Sequence, residues 1–260
     1  MAPVSPTLNA MPAPLAIVSA LHDELRALLP LLDEARVVEH AARRFHVGTL
    51  HGRPAVLVLS GVGKVAAALT ATLLVERFGA GELLFTGVAG GLHPDVAVGD
   101  VVVATELLQH DMDASPLFPR YEIPLTGRAR FAVEAARCAA LADAARHAVP
   151  GVRVHCGLVI SGDLFVHRPA HGAALRDALP DALAVEMEGA ALAQACADLG
   201  VPFTVLRAIS DRADAAAPTD FTRFVAEVAS VYTRDIVGRW LRAGAAGVAA
   251  DEGDAAGAAR

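Results

Sequence analysis

Residues 54–87, PAVLVLSGVGKVAAALTATLLVERFGAGELLFTG, decide the fold. The apolar run 54–60 has the length of one strand and no helical period. It breaks at Gly61-Val62-Gly63. The Ala- and Leu-rich stretch 64–78 that follows is helix-forming, and Gly79 stops it. A second buried strand pattern comes at 82–86. Strand, helix and strand in this order form the crossover unit of a parallel sheet, whose strands cannot be joined by a tight turn.

The same alternation runs outward in both directions. Strands are expected at 15–19, 45–50, 100–104, 152–160, 183–185 and 203–209, and helices at 23–32, 129–148, 169–178, 188–199 and 220–242. Gly151 and Gly200, like Gly79, follow helical runs as stops. The expectation is one α/β domain over 15–242, with a central mixed, largely parallel sheet flanked by helices in three layers. Residues 1–14, rich in Pro, Ala and Ser, read as a loose lead-in, and 243–260 as a frayed low-complexity tail.

Composition sets outer bounds. The chain has 260 residues with 22 basic and 29 acidic side chains, a formal charge of −7. Alanine accounts for 56 positions, and Lys64 is the sole lysine. A mildly acidic chain without a basic block argues against nucleic acid or an anionic membrane as partner. No apolar run approaches the ~20 residues of a membrane span, and the first residues lack a signal peptide's basic and apolar regions. The three cysteines, Cys138, Cys156 and Cys196, are scattered, as buried thiols of a reducing compartment would be. A soluble cytoplasmic protein is expected.

In an α/β sheet, ligands bind beyond the carboxyl ends of the strands, so the chemistry is sought there. After 15–19 come Asp23 and Glu24, with Asp23 suited to a helix cap and Glu24 to the first turn or a cleft. Gly61-Val62-Gly63-Lys64-Val65 fails as a phosphate-binding loop, because Val65 stands where a Ser or Thr would hold magnesium. What survives is a tight turn delivering backbone N–H groups, with Lys64 as a structural or surface lysine beside it. Thr86 to Gly91, TGVAGG, reads as a Gly-rich turn that lets a ligand approach the backbone. In Glu186-Met187-Glu188 an extended backbone would put both carboxylates on one side, an expensive arrangement unless they bind something such as a pair of ribose hydroxyls. Ser210 and Asp211 close the 203–209 strand. His110-Asp111-Met112-Asp113 lacks metal-ligand spacing, so no metal is expected, and the absence of GxSxG sets aside the common serine hydrolases.

Seven segments together resemble the nucleoside phosphorylase/nucleosidase superfamily, and within it the 5′-methylthioadenosine/S-adenosylhomocysteine nucleosidases. They are IVSALHDEL (17–25), SGVGKVAAALTATLL (60–74), TGVAGGL (86–92), VGDVVV (98–103), LVISGDLFV (158–166), AVEMEGAALA (184–193) and VPFTVLRAISDRAD (201–214), in family order. The resemblance implies a nucleoside phosphorylase-like fold and hydrolysis of an N-ribosidic bond, releasing adenine from an adenine nucleoside thioether. It implies Glu24 as the base that activates water and Asp211 as the acid that protonates N7 of the leaving adenine, with Ser210 beside it. Glu188 would grip the ribose hydroxyls, Met187 would lie under the sugar, and Arg207 near the water and Glu188. Phe165 would stack on the purine, the Val166 backbone would read its edge, and Gly90 would border the sugar. Phe221, with Leu21 and Val62, would form the 5′-alkylthio pocket. A homodimer is implied, and no metal or redox cofactor.

Three departures stand out. Val88 replaces a common hydroxyl residue, Leu21 replaces a common methionine, and 114–127, carrying Phe118 and Tyr121, does not align with the segment that reaches a neighbouring subunit. The rival expectations are a phosphorylase, a hydrolase of another purine nucleoside, and a silent nucleoside-binding protein. Phe85, where related phosphorylases place arginine, favours hydrolysis.

Overall fold

The computed structural model describes residues 12–224 and 228–257. Residues 1–11 of the expected lead-in, 225–227 of the expected helix 220–242 and 258–260 of the expected tail lie outside the described residues. The chain begins with β1 (Leu15–Ser19), α1 (His22–Leu25), β2 (Leu32–His40), β3 (Arg43–Leu50) and β4 (Arg53–Leu59). It continues through α2 (Lys64–Phe78), β5 (Glu82–Gly91), β6 (Val101–Gln109), β7 (Arg130–Ala132) and α3 (Ala135–Ala148). The last part is β8 (Val154–Ser161), α4 (Pro169–Ala178), β9 (Ala182–Glu186), α5 (Gly189–Leu199), β10 (Phe203–Asp211), α6 (Ala217–Phe224) and α7 (Ser230–Gly257).

The crossover β4–α2–β5 forms as its sequence predicts, and the α/β class with a mixed, helix-flanked sheet holds. β1 lies between β4 and β5, parallel to both, with Val18 opposite Val58 on one side and Phe85 on the other. Buried on both faces, these strands are continuously apolar. Their Leu, Ile, Val and Phe side chains form one large core with α2, α3, α5 and α7, each such burial contributing roughly 1.5–3 kcal/mol. No described helix is long and apolar enough to cross a membrane.

The strand order is β10-β6-β8-β9-β5-β1-β4-β3-β2, and β10 also pairs with β5. Strands β5, β9, β8, β6 and β10 therefore close into a ring, with β1 to β4 extending from it as an open sheet. β5 belongs to both. Its first half pairs with β1 as far as Phe85, and its end pairs with β9, Gly90 opposite Val185. Where the β1 and β9 neighbours part, the sheet forks.

Four elements differ from the sequence expectation. The helix expected at 23–32 ends at Leu25, because Pro30 falls in a 3-10 turn (Leu29–Leu31) and the chain then enters β2, where backbone groups are satisfied by antiparallel pairing with β3. The expected helix 129–148 yields its start to β7, whose Phe131 sits opposite Leu107 of β6. The expected helix 220–242 is two helices, α6 and α7, and α7 continues to Gly257 through residues expected to be a frayed tail, whose many alanines favour helix. The Gly-rich stretch after Thr86 is no turn: β5 runs through Gly91, buried throughout.

Candidate active site

The fork opens a cavity of about 590 Å³ between the ends of β1, β4, β5, β9 and β10, with Phe165 on one rim and Pro218 and Phe221 of α6 on another. Its position follows from topology: the strands leave one another there, and their last side chains face a gap rather than a neighbour.

Glu24 enters from the first turn of α1 and is almost fully buried. Its Oε2 accepts the N–H groups of Ala20 and Leu21 at 2.9 and 2.8 Å, and Oε1 accepts that of Val88 at 3.1 Å. Burial pushes its carboxyl above the ordinary range, against the pull of these N–H groups and of the Arg207 guanidinium.

Asp211, the last residue of β10, lines the same cavity. Oδ2 accepts the Ser210 hydroxyl and Oδ1 the Ala213 N–H, both at 2.8 Å. Burial is the largest influence and raises its carboxyl. Those two hydrogen bonds oppose the rise, and the charges of Asp214 and Asp220 add to it. β5 leaves room for both acids, since a Cβ on Gly87 would lie 2.9 Å from Glu24 Oε1 and one on Gly90 would lie 2.8 Å from Asp211 Oδ1.

Glu186, the last residue of β9, and Glu188 just beyond it divide their work. Glu186 is spent on the protein: Oε2 takes Arg207 Nη2 at 2.6 Å, and both oxygens take the Gly189 N–H at the start of α5. The Ser161 hydroxyl also donates to it. Glu188 accepts the Gly63 N–H, at 2.8 Å to Oε1, and lines the open cavity beside Met187. Burial first, and then the neighbouring Glu186 charge, pushes Glu188 up to about 8.

Of the residues singled out in the sequence, Glu24, Gly90, Phe165, Met187, Glu188, Ser210, Asp211 and Phe221 all line this cavity, as do Leu21 and Val62. Val166 lines a smaller recess beside it, together with Gly90, Phe165 and Asp211. Arg207 does not reach the wall. It lies beneath, donating to Glu186 and to the carbonyls of Phe85 and Leu206, with its guanidinium 4.1 Å from the centroid of the Phe85 ring. Phe118 and Tyr121 are not among the lining residues.

A family profile described as the phosphorylase superfamily matches residues 14–240. The chain belongs to the phosphorylase superfamily. It is 38% identical over 223 residues to the 5′-methylthioadenosine/S-adenosylhomocysteine nucleosidase of Anoxybacillus flavithermus, which covers 86% of this chain and 95% of the relative. The crystal structure of the nucleosidase of that name from Neisseria meningitidis, in complex with methylthio-immucillin-A, superposes with a TM-score of 0.84 at 36% identity, covering 88% of this chain and 98% of the other. The Colwellia psychrerythraea nucleosidase in complex with adenine gives the same TM-score and identity, covering 88% and 94%.

Within this superfamily the chain has features that its residue patterns did not reveal. Glu186 looked like half of a ligand-binding pair and is instead the counterion of Arg207. The signal was present in the apolar setting of Arg207 on a buried strand, where a guanidinium needs a carboxylate partner. Val88 turns its side chain into an apolar cluster with Ala208, Phe224 and Ala229, packed by Leu21 and Phe221. Its backbone, rather than a hydroxyl, serves Glu24. Lys64 donates to Gln109 and Asp111, a structural position beside the Gly turn.

Proposed function

We propose that the protein hydrolyses the N-ribosidic bond of 5′-methylthioadenosine and S-adenosylhomocysteine, releasing adenine and the 5-alkylthioribose. The make-up of the cavity lining carries this reading. Among the described lining residues are four carboxylates, Glu24, Glu186, Glu188 and Asp211, and no lysine, arginine or histidine. A phosphorylase would have to hold a phosphate dianion in a lining that offers it no cation, with Arg207 already committed to Glu186, whereas water enters without that penalty. Breaking the bond builds positive charge on the sugar, which buried carboxylates favour.

The roles follow from the surroundings. Glu24, held by three backbone N–H groups, orients the attacking water and takes its proton. Asp211, whose burial favours the neutral acid, passes its proton to N7 of the leaving adenine while Ser210 and the Ala213 N–H fix the carboxyl. Glu188 accepts the ribose hydroxyls, and a cationic sugar beside it draws it back toward ionisation. Phe165 and the backbone at Val166 hold the purine. The apolar end formed by Leu21, Val62, Val88, Pro218 and Phe221 suits a 5′-alkylthio group. This chemistry needs no metal or redox cofactor.

We assign the catalytic domain to 15–242, between the lead-in and the tail, and place the protein in the cytoplasm in methionine salvage. Its three free cysteines agree with a reducing compartment. A homodimer is supported by exposed Val65 and Leu69 on α2, and by Leu117 and Leu125 within 114–127. The test is adenine release from methylthioadenosine, S-adenosylhomocysteine and adenosine, with and without phosphate. Phosphate-independent release of free alkylthioribose is expected, with Asp211→Asn slower by about a thousand-fold. A sugar 1-phosphate product would overturn the reading.

A further inference from the structure

Behind the cavity, three charged residues tie together the two loops that carry its purine and ribose walls. The Asp163 Oδ1 accepts the backbone N–H of Lys64 at 2.8 Å. The N–H of Asp163 donates to Asp111 Oδ2 at 3.0 Å. Lys64 Nζ closes the circuit by donating to Asp111 Oδ1 at 2.7 Å, with Gln109 Oε1 as its second acceptor at 3.1 Å. None of the three lines the cavity, yet each end of the circuit is next to something that does. On one side Gly63, the neighbour of Lys64, gives its N–H to Glu188. On the other, the chain leads from Asp163 directly to Phe165 and Val166. The loops also touch, since a Cβ on Gly63 would lie 3.0 Å from Asp163 Oδ1. From below, the His110 ring occupies the space a side chain at Gly162 would need, so the purine loop is braced where it leaves β8.

We infer that the Lys64–Asp111–Asp163 circuit is a positioning device that holds the purine wall in register with the ribose carboxylate, and thereby sets affinity for an intact nucleoside rather than for its parts. This rests on the reading of the cavity as a purine nucleoside site. A ligand that bridges two walls makes both sets of contacts only if the spacing is already correct, and otherwise pays to order the loops on binding. A fragment that touches one wall pays nothing for the other. Exposed ion pairs contribute little one at a time, but two of these links are carboxylates holding backbone N–H groups, which are stronger and fix the main chain itself.

The experiment uses the full-length protein and its Lys64→Met, Lys64→Arg and Asp163→Asn variants. For each, KM and kcat are measured with methylthioadenosine, and the Kd of free adenine by calorimetry. In Lys64→Met and Asp163→Asn, KM should rise about five- to ten-fold, with kcat and the adenine Kd within two-fold of the unaltered protein. Lys64→Arg should recover most of the KM. An unchanged KM in both variants, a fall in kcat alone, or adenine and nucleoside affinities weakening in equal proportion would each overturn the proposal. If the unaltered protein releases no adenine, the functional reading fails instead, and no variant is needed to see it.

Discussion

At Gly61 and Gly63 the backbone adopts φ values of 80° and 99°, a region that side chains avoid, and the turn delivers the Gly63 N–H to Glu188. At Gly87 and Gly90 the backbone is extended within β5, and any residue could adopt it. Those two positions are glycine because the space beside them is taken by Glu24, Arg207 and Asp211. The two segments look alike in sequence and border the same cavity, but the first needs glycine for its dihedral range, with a close approach to Asp163 added at Gly63, and the second for its missing side chain alone. The dihedral role is local and bears on stability. The missing side chain makes room for carboxylates that come from distant parts of the chain, and it bears on chemistry.

Substitutions can separate the two uses. The largest effect is expected at Gly90→Ala, whose methyl would meet Asp211 Oδ1 at 2.8 Å and the Ala213 side chain at 3.2 Å. Steady-state assays should show kcat/KM down by about 10²- to 10⁴-fold, the range for losing a general acid, with the circular dichroism spectrum retained. Near-normal activity would show that the acid shifts freely and would erase the distinction.

Gly87→Ala comes next, at about a hundred-fold, with a change in pH profile as its signature. In the unaltered protein kcat/KM should fall on the acid side as Glu24 takes up a proton, and on the alkaline side as Asp211 loses one. Both carboxyls titrate above their ordinary ranges because they are buried. A methyl at Gly87 would push Glu24 Oε1 off the Val88 N–H, which favours the ionised form. The acid limb should therefore move to higher pH while the alkaline limb stays. An acid limb that does not move would mean that Glu24 is held by other contacts.

The smallest effect is expected at Gly61→Ala. The nearest atom to a Cβ there is Ala66 Cβ at 3.9 Å, so the only cost is the strained dihedral, roughly 1–3 kcal/mol. Thermal unfolding should show a Tm lower by several degrees, with kcat within about two-fold. A large loss of kcat with unchanged Tm would reverse the assignment of the two segments.

How much of this was legible in the chain depends on where each structural decision is made. The crossover at 54–87 is fixed by local pattern: β4 and α2 form within a residue of their expected bounds, whereas β5 starts where expected and runs on past Thr86 to Gly91. The residues singled out in the sequence converge on one cavity because strand ends in this architecture point at one place, and they could be named because seven segments keep family order. β2 was missed because its residues are mostly exposed at a sheet edge, so no buried stripe marks them, and the pairing with β3 that decides them is not written in their own pattern. The reading of TGVAGG as a turn failed for a related reason. A glycine in sequence suggests a special dihedral of its own backbone, whereas Gly87 and Gly90 answer to Glu24 and Asp211. The same holds for Glu186 and Glu188, identical residues two positions apart, whose separate tasks are set by an arginine on another strand.

The ring that joins β5 to β10 also bears on how the enzyme comes into being. Arg207 reaches the Phe85 carbonyl across 122 positions of sequence, and Asp211 takes its place only when β10 has inserted between β5 and β6. Contacts of such separation form slowly, because a long loop must close before they give anything back. On the ribosome, β1 and the glycine turn are made well before Asp211. A chain made only as far as β9 carries Glu24 but neither Glu188 nor Asp211 nor the α6 residues Pro218 and Phe221, so the cavity is complete only once the segments after β9 have been added.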